Sequence, residues 1–381
     1  MLLIFIYMLN TECGIYCVIS KYPINNNSCI RGLQKLQHRG RESFGISYFI
    51  NNNFHVHKNI GAVTNIIPNI LATSWLGHVR YSTSGNKDND IEFTQPLVAT
   101  RNKLLGTYSL AHNGNIPAYI WNKIYEKYDN KFVVNLSNNY NDTQILIMYI
   151  YFISNHFSLS SWREIIRYII NDIPGAYSIV IQTTEFTYLA RDRYAIRPLI
   201  YSKNNYNILI SSENCAFGGD YEFNDVNAGE IIQINNISLD TESIYSYDND
   251  TNSLKNCIFE YIYFLRGGTT ADGINAKDFR TQLGKVLSEQ IKYDSKHLFD
   301  SWRENKAIIC GVPVSGIHFG NSMAEYLNIQ YSQFLNKRKD YPYRTFILKT
   351  TADRLDACKK KFIVQPDIIS NKIIILVDDS M

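Results

Sequence analysis

Hydrophobic and polar positions change rhythm part-way along the 381-residue chain. In the first half, short runs rich in Ile, Val, Tyr and Phe recur between turn residues: CGIYCVIS (13–20), SFGISYFI (43–50), TSWLGHV (73–79), AYSIVIQ (176–182), FTYLARD (186–192) and NILISS (207–212). Such runs predict strands. DTQILIMYIYFISN (142–155) and SSWREIIRYIIND (160–172) predict helices, the second stopped by Ile173-Pro174-Gly175. Residues 235–256 are polar and rich in turn formers, which predicts a linker or a surface excursion. Beyond them strands and helices alternate. FEYIYFL (259–265) predicts a strand, AKDFRTQLGKVLSEQI (276–291) a helix, KAIICGV (306–312) a buried strand and GIHFGNSMAEYLN (316–328) a helix. KIIILVDDS (372–380) is a further buried strand, ending in two carboxylates. That alternation predicts a parallel, doubly wound sheet. The expected fold class is therefore α+β followed by α/β, in two domains.

Composition narrows the partners. Hydrophobic residues make up 45% of the chain and charged residues 19%, enough apolar material for sizeable cores. With 38 Lys+Arg against 35 Asp+Glu, no basic block points to nucleic acid or to an acidic membrane. Seven cysteines at irregular spacing, with no C-x-x-C pair, fit a reducing, cytoplasmic setting. The apolar MLLIFIYML at the start lacks a basic n-region and is far shorter than the roughly 20 residues of a membrane span.

The candidate chemistry lies in sharply turned polar segments. LQHRGRESFGI (36–46), GHVRYSTSG (77–85), AHNGNI (111–116) and NDT (141–143) place charged or amide groups beside Gly or at a helix start. Arg80 offers a bidentate fork for a carboxylate, and Asp142 can bind an ammonium group. The Asn113-Gly114 turn can aim a side-chain amide and a main-chain N–H at one oxygen, forming an oxyanion hole. With the thiol of Cys13 as nucleophile, these parts suit a substrate bearing an α-carboxylate, an α-ammonium group and a scissile amide. Glutamine is such a molecule. The bland reading of Cys13 alone is a small buried residue.

In order, Cys-Gly-Ile, LQHRGRES, GHVRYSTSG, HNGNI, NDT, RDRYAIRPL (191–199) and SENCAF (212–217) resemble the class II glutamine amidotransferases of the N-terminal nucleophile type. CIFEYIYFLR (257–266), GVPVSG (311–316), YRTFI (343–347) and IILVDDS (374–380) narrow the resemblance to the amidophosphoribosyltransferase family. It covers nearly the whole chain from Cys13 onward. The resemblance implies an αββα sandwich of the N-terminal nucleophile hydrolases (13–240), then a type I phosphoribosyltransferase domain (257–381). It implies Cys13 as nucleophile, Asn113 and Gly114 as the oxyanion hole, and Arg80, Thr83 and Asp142 as the glutamine-binding residues. The ammonia released would attack phosphoribosyl pyrophosphate, with Mg²⁺ held by Ser315, Asp378 and Asp379. A homo-oligomer inhibited by purine nucleotides is also implied.

In this family the α-amine of the nucleophilic Cys is the general base. A free α-amine has a pKa of about 7.7–8, whereas a peptide nitrogen is not basic. Residues 1–12 are accordingly expected to be a propeptide cut between Glu12 and Cys13. A misplaced start codon and a degenerate signal peptide are the other readings.

Several positions depart from the pattern. The family's signature continues past the two acidic residues into a phosphate-binding loop, while this sequence ends at Met381, so the second domain is expected to be C-terminally incomplete. Arg266-Gly267-Gly268-Thr269 stands where Arg-Pro-Asp-Ser is usual, Val314 replaces an acidic residue, and Ala195 replaces a Gly. Cys257 matches one ligand of a [4Fe–4S] cluster carried by propeptide-bearing members. A cluster needs four thiolates, so none is expected to assemble in this chain, and a buried free thiol is the other reading. Cys17, Cys29, Cys215, Cys310 and Cys358 have no role beyond packing. Asparagine synthetase and glucosamine-6-phosphate synthase would need downstream modules that this sequence lacks. The competing hypothesis is a glutaminase-only or inactive remnant with a regulatory or binding role.

Overall fold

Alternate residues of the first strand bury into two different cores. Ile15, Cys17 and Ile19 enter one cluster, while Tyr16 and Val18 enter another. A strand with both faces covered belongs to a central layer. The computed structural model describes residues 13–64, 69–81, 91–100, 103–132, 140–219, 221–247, 255–338 and 350–379. The chain divides into two compact units, Met1–Cys257 and Ile258–Met381.

In the first unit, seven strands form one antiparallel sheet. They are β1 (Gly14–Asn25), β2 (Ser43–Ile50), β3 (Asn53–Ile60), β4 (Leu71–Arg80), β9 (Ile200–Lys203), β10 (Asn207–Ser211) and β11 (Asn224–Asp225). Their order is β11-β9-β10-β1-β4-β2-β3. Six more make a second antiparallel sheet: β5 (Leu97–Ala99), β6 (Tyr108–Asn115), β7 (Ala176–Gln182), β8 (Phe186–Arg191), β12 (Glu230–Asn235) and β13 (Thr241–Ser246). Their order is β13-β12-β8-β7-β6-β5.

The core between these sheets joins Ile15, Cys17 and Leu76 of one to Ala111, Val180, Leu189 and Ile232 of the other. The outer face of the first sheet packs on α1 (Asn27–Lys35) through Cys29, Ile30 and Leu33. The outer face of the second packs on α2 (Ala118–Lys127), α3 (Asp142–His156) and α4 (Trp162–Asp172). These are the four αββα layers that the resemblance implied. The structure corrects one local reading: β13 lies within the polar stretch 235–256, whose residues 241–246 form an edge strand paired with β12.

The second unit holds two two-residue strands, β14 (Thr270–Ala271) and β15 (Ile274–Asn275), and then α5 (Ala276–Asp294) and α6 (Lys296–Glu304). β16 (Ile308–Gly311), α7 (Gly316–Leu327) and β17 (Gln330–Tyr331) follow. Next come β18 (Leu335–Lys337), α8 (Thr351–Lys361), β19 (Phe362–Val364), α9 (Pro366–Ile369) and β20 (Ile374–Val377). The sheet β17-β16-β20 is parallel, as its sequence alternation predicts. Ile309, Phe319, Met323 and Val377 pack on one face and Ile308, Cys310 and Phe334 on the other. The strand predicted over 259–265 is not one: Glu260–Phe264 form a π-helix. Arg280 of α5 holds this turn, donating to the carbonyls of Tyr261 (2.8 Å) and Leu265 (2.6 Å). No helix among the described residues is long and apolar enough to cross a membrane.

Candidate functional site

Cys13 immediately precedes β1, at the sheet end where Gly14 pairs with Val79 and β4 finishes at Arg80. Gly40 lets the preceding turn close against this end, because a Cβ there would lie 2.6 Å from the main chain of Arg80. The Cys13 thiol is buried, and burial pushes its pKa up to about 11. A main-chain hydrogen bond at Tyr81 and the charges of Arg80 and Arg197 pull the other way, while Asp142 adds to the rise. Arg80 stacks its guanidinium over Phe93, 5.6 Å from the ring centroid.

The second sheet supplies the amide. Asn113 is buried on β6, and its Nδ2 donates to Ser212 Oγ at 3.4 Å. Gly114 follows with φ +151°, and a Cβ there would lie 2.1 Å from the Ala176 carbonyl oxygen. Only glycine lets β6 and β7 approach so closely in that conformation. Asn113 Oδ1 and His112 Nε2 are buried without a hydrogen-bond partner among the described residues. Such atoms mark places where water or a ligand completes the bonding.

Asp142 opens α3. Its Oδ2 accepts from the main chain of Ile116 (3.1 Å) and its Oδ1 from that of Thr143 (2.9 Å). Asn141 caps the helix, accepting from the Gln144 main chain at 2.8 Å. His112 Nδ1 is 3.9 Å from Asp142 Oδ2, and burial lowers the pKa of that ring. Gln95 braces the group, accepting from the His112 main chain at 2.6 Å and donating to Thr143 Oγ1 at 2.9 Å. Cys13, Arg80, Asn113, Gly114 and Asp142 are thus gathered at one end of the sandwich. Thr83 and residues 1–12 lie outside the described residues.

Sequence reasoning gave no role to Arg39, Ser212 or Glu213, although all three fall in the quoted motifs. Arg39 Nε donates to the Cys13 carbonyl at 2.8 Å, and Arg39 Nη1 donates to Glu213 Oε1 at 2.7 Å. The detectable signal was two oppositely charged residues, each in a motif close to the site. The departure at Ala195 has a visible consequence: it adopts φ 53°, a left-handed conformation.

In the second unit, Ser315 and the Asp378-Asp379 pair meet at the C-terminal ends of β16 and β20. Strands on either side of β16 connect in opposite senses there, the position where open parallel sheets bind ligands. Ser315 Oγ donates to Asp379 Oδ2, and the Asp379 main chain donates to Asp378 Oδ1 at 2.9 Å. Burial, with the charge of Asp379 behind it, pushes Asp378 up to about 6. A hydroxyl and two crowded carboxylates are hard oxygen donors that a small dication would suit. Cys257 is half-buried, and the described residues hold no group of three or more His, Cys, Asp or Glu placed to bind a metal ion. An iron–sulfur cluster needs four thiolates, of which Cys257 supplies one.

Residues 78–218 match the family described as the glutamine amidotransferase domain. The amidophosphoribosyltransferase of Methanocaldococcus jannaschii is 30% identical over 394 residues, covering 97% of this chain and 78% of the relative. The chain belongs to the amidophosphoribosyltransferase family. The family's Bacillus subtilis member is also 30% identical, over 98% of this chain and 74% of its own length. Among solved structures, the glutamine phosphoribosylpyrophosphate amidotransferase of B. subtilis, complexed with ADP and GMP, superposes with a TM-score of 0.77. It is 27% identical, over 97% of this chain and 76% of that one. A second structure, described as the allosteric regulatory enzyme of purine biosynthesis, gives a TM-score of 0.73 at 27% identity, over 96% of this chain and 74% of that one. Both sheets of the first unit and the parallel sheet of the second agree with this family's architecture.

Proposed function

We propose that this chain is an amidophosphoribosyltransferase. It hydrolyses glutamine and joins the ammonia to phosphoribosyl pyrophosphate, giving 5-phosphoribosylamine, pyrophosphate and glutamate. The observation that carries the reading is the gathering of Cys13, Arg80, Asn113-Gly114 and Asp142 at one end of the sandwich in a chain of this family.

The Cys13 thiol attacks the glutamine δ-carbonyl. With its pKa pushed up to about 11, little thiolate exists at neutral pH, so a base must take the proton as the bond forms. The α-amine of Cys13, once residues 1–12 are removed, is that base. Nδ2 of Asn113 and the Gly114 main chain receive the oxyanion. Arg80 and Thr83 hold the α-carboxylate and Asp142 the α-ammonium group. Collapse of the tetrahedral adduct expels ammonia, with the thiol's proton returned to the leaving nitrogen, and leaves a γ-glutamyl thioester that water hydrolyses to glutamate.

The ammonia then attacks C1 of phosphoribosyl pyrophosphate. The C1–O bond to pyrophosphate breaks and the new ammonium group loses a proton. Ser315, Asp378 and Asp379 would hold Mg²⁺, which neutralises pyrophosphate charge when bound. The proposal extends to a cytoplasmic homo-oligomer under purine-nucleotide control. A relative solved with ADP and GMP, and another described as allosteric, support the nucleotide control.

The test is N-terminal sequencing of the expressed protein with glutamate release assayed with and without phosphoribosyl pyrophosphate. A Cys13 terminus, glutamate release and stoichiometric pyrophosphate are expected. Glutamate without pyrophosphate would reduce the chain to a glutaminase. An uncut chain releasing neither would overturn the reading.

A further inference from the structure

Glu213 follows β10 and Arg39 follows α1, 174 residues apart in sequence, yet both side chains are wholly buried and paired at 2.7 Å. Glu213 Oε1 is also 2.7 Å from His38 Nε2, and its Oε2 is 3.7 Å from Cys215 Sγ. Buried charges are costly to desolvate and are kept where their geometry is needed. Here the geometry leads to the nucleophile, since the same guanidinium donates through Nε to the carbonyl of Cys13 at 2.8 Å. A planar fork can hold a carboxylate with one edge and a carbonyl with the other, which an ammonium cannot do in a fixed plane.

The adjacent residue does the matching job on the other sheet. Ser212 Oγ accepts from the Ile15 main chain at 3.0 Å and from Asn113 Nδ2 at 3.4 Å. The Ser212 main chain donates to the Ile15 carbonyl at 3.0 Å. One dipeptide therefore fixes both partners of the attack. Glu213, by way of Arg39, sets the carbonyl of Cys13, and so the direction in which its thiol and its nitrogen leave Cα. Ser212 uses one amide hydrogen of Asn113 and leaves the other to meet an oxyanion.

We infer that Glu213, acting through Arg39, is a positioning residue for the Cys13 nucleophile, coupled through Ser212 to the oxyanion amide. The inference rests on the glutaminase reaction proposed above. A pair that merely braced the core would change stability and activity together. A positioning pair lowers turnover while leaving glutamine binding and the chemical accessibility of the thiol in place.

The experiment compares the expressed full chain with Arg39→Lys, Glu213→Gln and the double variant. Glutamate-release kinetics, alkylation of Cys13 by iodoacetamide and thermal unfolding are measured on each. The expected loss in kcat is about 100-fold for each single variant, the scale of a small misplacement of a reacting group. KM for glutamine should stay within about threefold. Iodoacetamide, which needs no orientation, should label Cys13 at a rate within about twofold of the parent. The double variant should lose little beyond either single one, because the two residues act as a unit. If Arg39→Lys does not fold, Glu213→Gln and His38→Gln carry the test, His38 being the member whose side chain is 22% exposed. A folded Glu213→Gln protein with a parental kcat would overturn the inference alone. So would losses of kcat that follow the loss of stability. A parent chain that alkylates at Cys13 but releases no glutamate would overturn the proposed reaction and the inference with it.

Discussion

The main-chain N–H of Ile116 donates to Asp142 Oδ2 at 3.1 Å. This bond ties the end of β6, which carries Asn113 and Gly114, to the first residue of α3. The groups assigned to the oxyanion and to the α-ammonium group are thereby held in one frame.

Replacing Asp142 tests that frame. Asp142→Asn keeps the size and one acceptor but removes the charge proposed to hold the α-ammonium group. Hydrogen bonds to charged groups contribute about 1.5–3 kcal/mol, so KM for glutamine should rise roughly 10- to 150-fold with a smaller change in kcat. The folded state should lose only about 0.3–1 kcal/mol from the uncompensated helix N-terminus. Steady-state kinetics and a melting curve read both; an unchanged KM would remove Asp142 from the substrate site.

Gly114→Ala should behave differently. At φ +151° with a carbonyl oxygen 2.1 Å from the new Cβ, no flexible side chain can yield. The β6–β7 pairing must open at Gly114–Tyr177. Destabilisation of about 2 kcal/mol or more and loss of glutamate release are expected. A denaturant midpoint equal to that of the parent would show that this turn tolerates a side chain.

The first unit was legible because its central strands are short runs rich in Ile, Val, Tyr and Phe set between turn residues, and both faces of such a run find an apolar core, as Ile15 and Cys17 do on one side and Tyr16 and Val18 on the other. It misled at 259–265. A short apolar run without polar alternation has no period to separate strand from helix, and the deciding feature is distant: Arg280 claims the carbonyls of Tyr261 and Leu265. The strand Thr241–Ser246 was hidden for the opposite reason, since an edge strand is largely solvated and reads as polar linker. In the site, the residues gathered at one end of the sandwich stand in turned motifs that the sequence displays. The residues that hold them were not, because Arg39 and Glu213 acquire their meaning only when β10 brings them together.

The thiol offers a test by electrostatics. Cys13, pushed up to about 11, should be alkylated about tenfold faster for each pH unit between 7 and 10, with no plateau near 8.5. Arg80 lowers that pKa and Asp142 raises it. Arg80→Gln should therefore slow alkylation at pH 8, and Asp142→Asn should hasten it. Mass spectrometry of iodoacetamide-treated protein distinguishes the two signs. The same direction of change in both variants would mean that these charges do not face the thiol.

Asp378 gives the corresponding test in the second unit. Its carboxyl is pushed up to about 6 by burial and by the neighbouring Asp379 charge, against the pull of the Asp379 main chain and Lys361. A proton and the proposed dication would compete for it. Mg²⁺ binding in the presence of phosphoribosyl pyrophosphate should weaken about tenfold per pH unit below 6 and level off above it. Without metal the sign reverses. The folded state then holds the proton more tightly than the unfolded chain, so this group's contribution to stability falls as pH rises from the ordinary carboxylate range through about 6. Mg²⁺ should restore that loss at pH 7. Asp378→Asn should abolish both the pH step in binding and the metal-dependent gain in melting temperature. Calorimetric titration and melting curves between pH 5 and 7.5 measure the two effects. If Mg²⁺ raises the melting temperature of Asp378→Asn as much as that of the parent, the ion is held elsewhere.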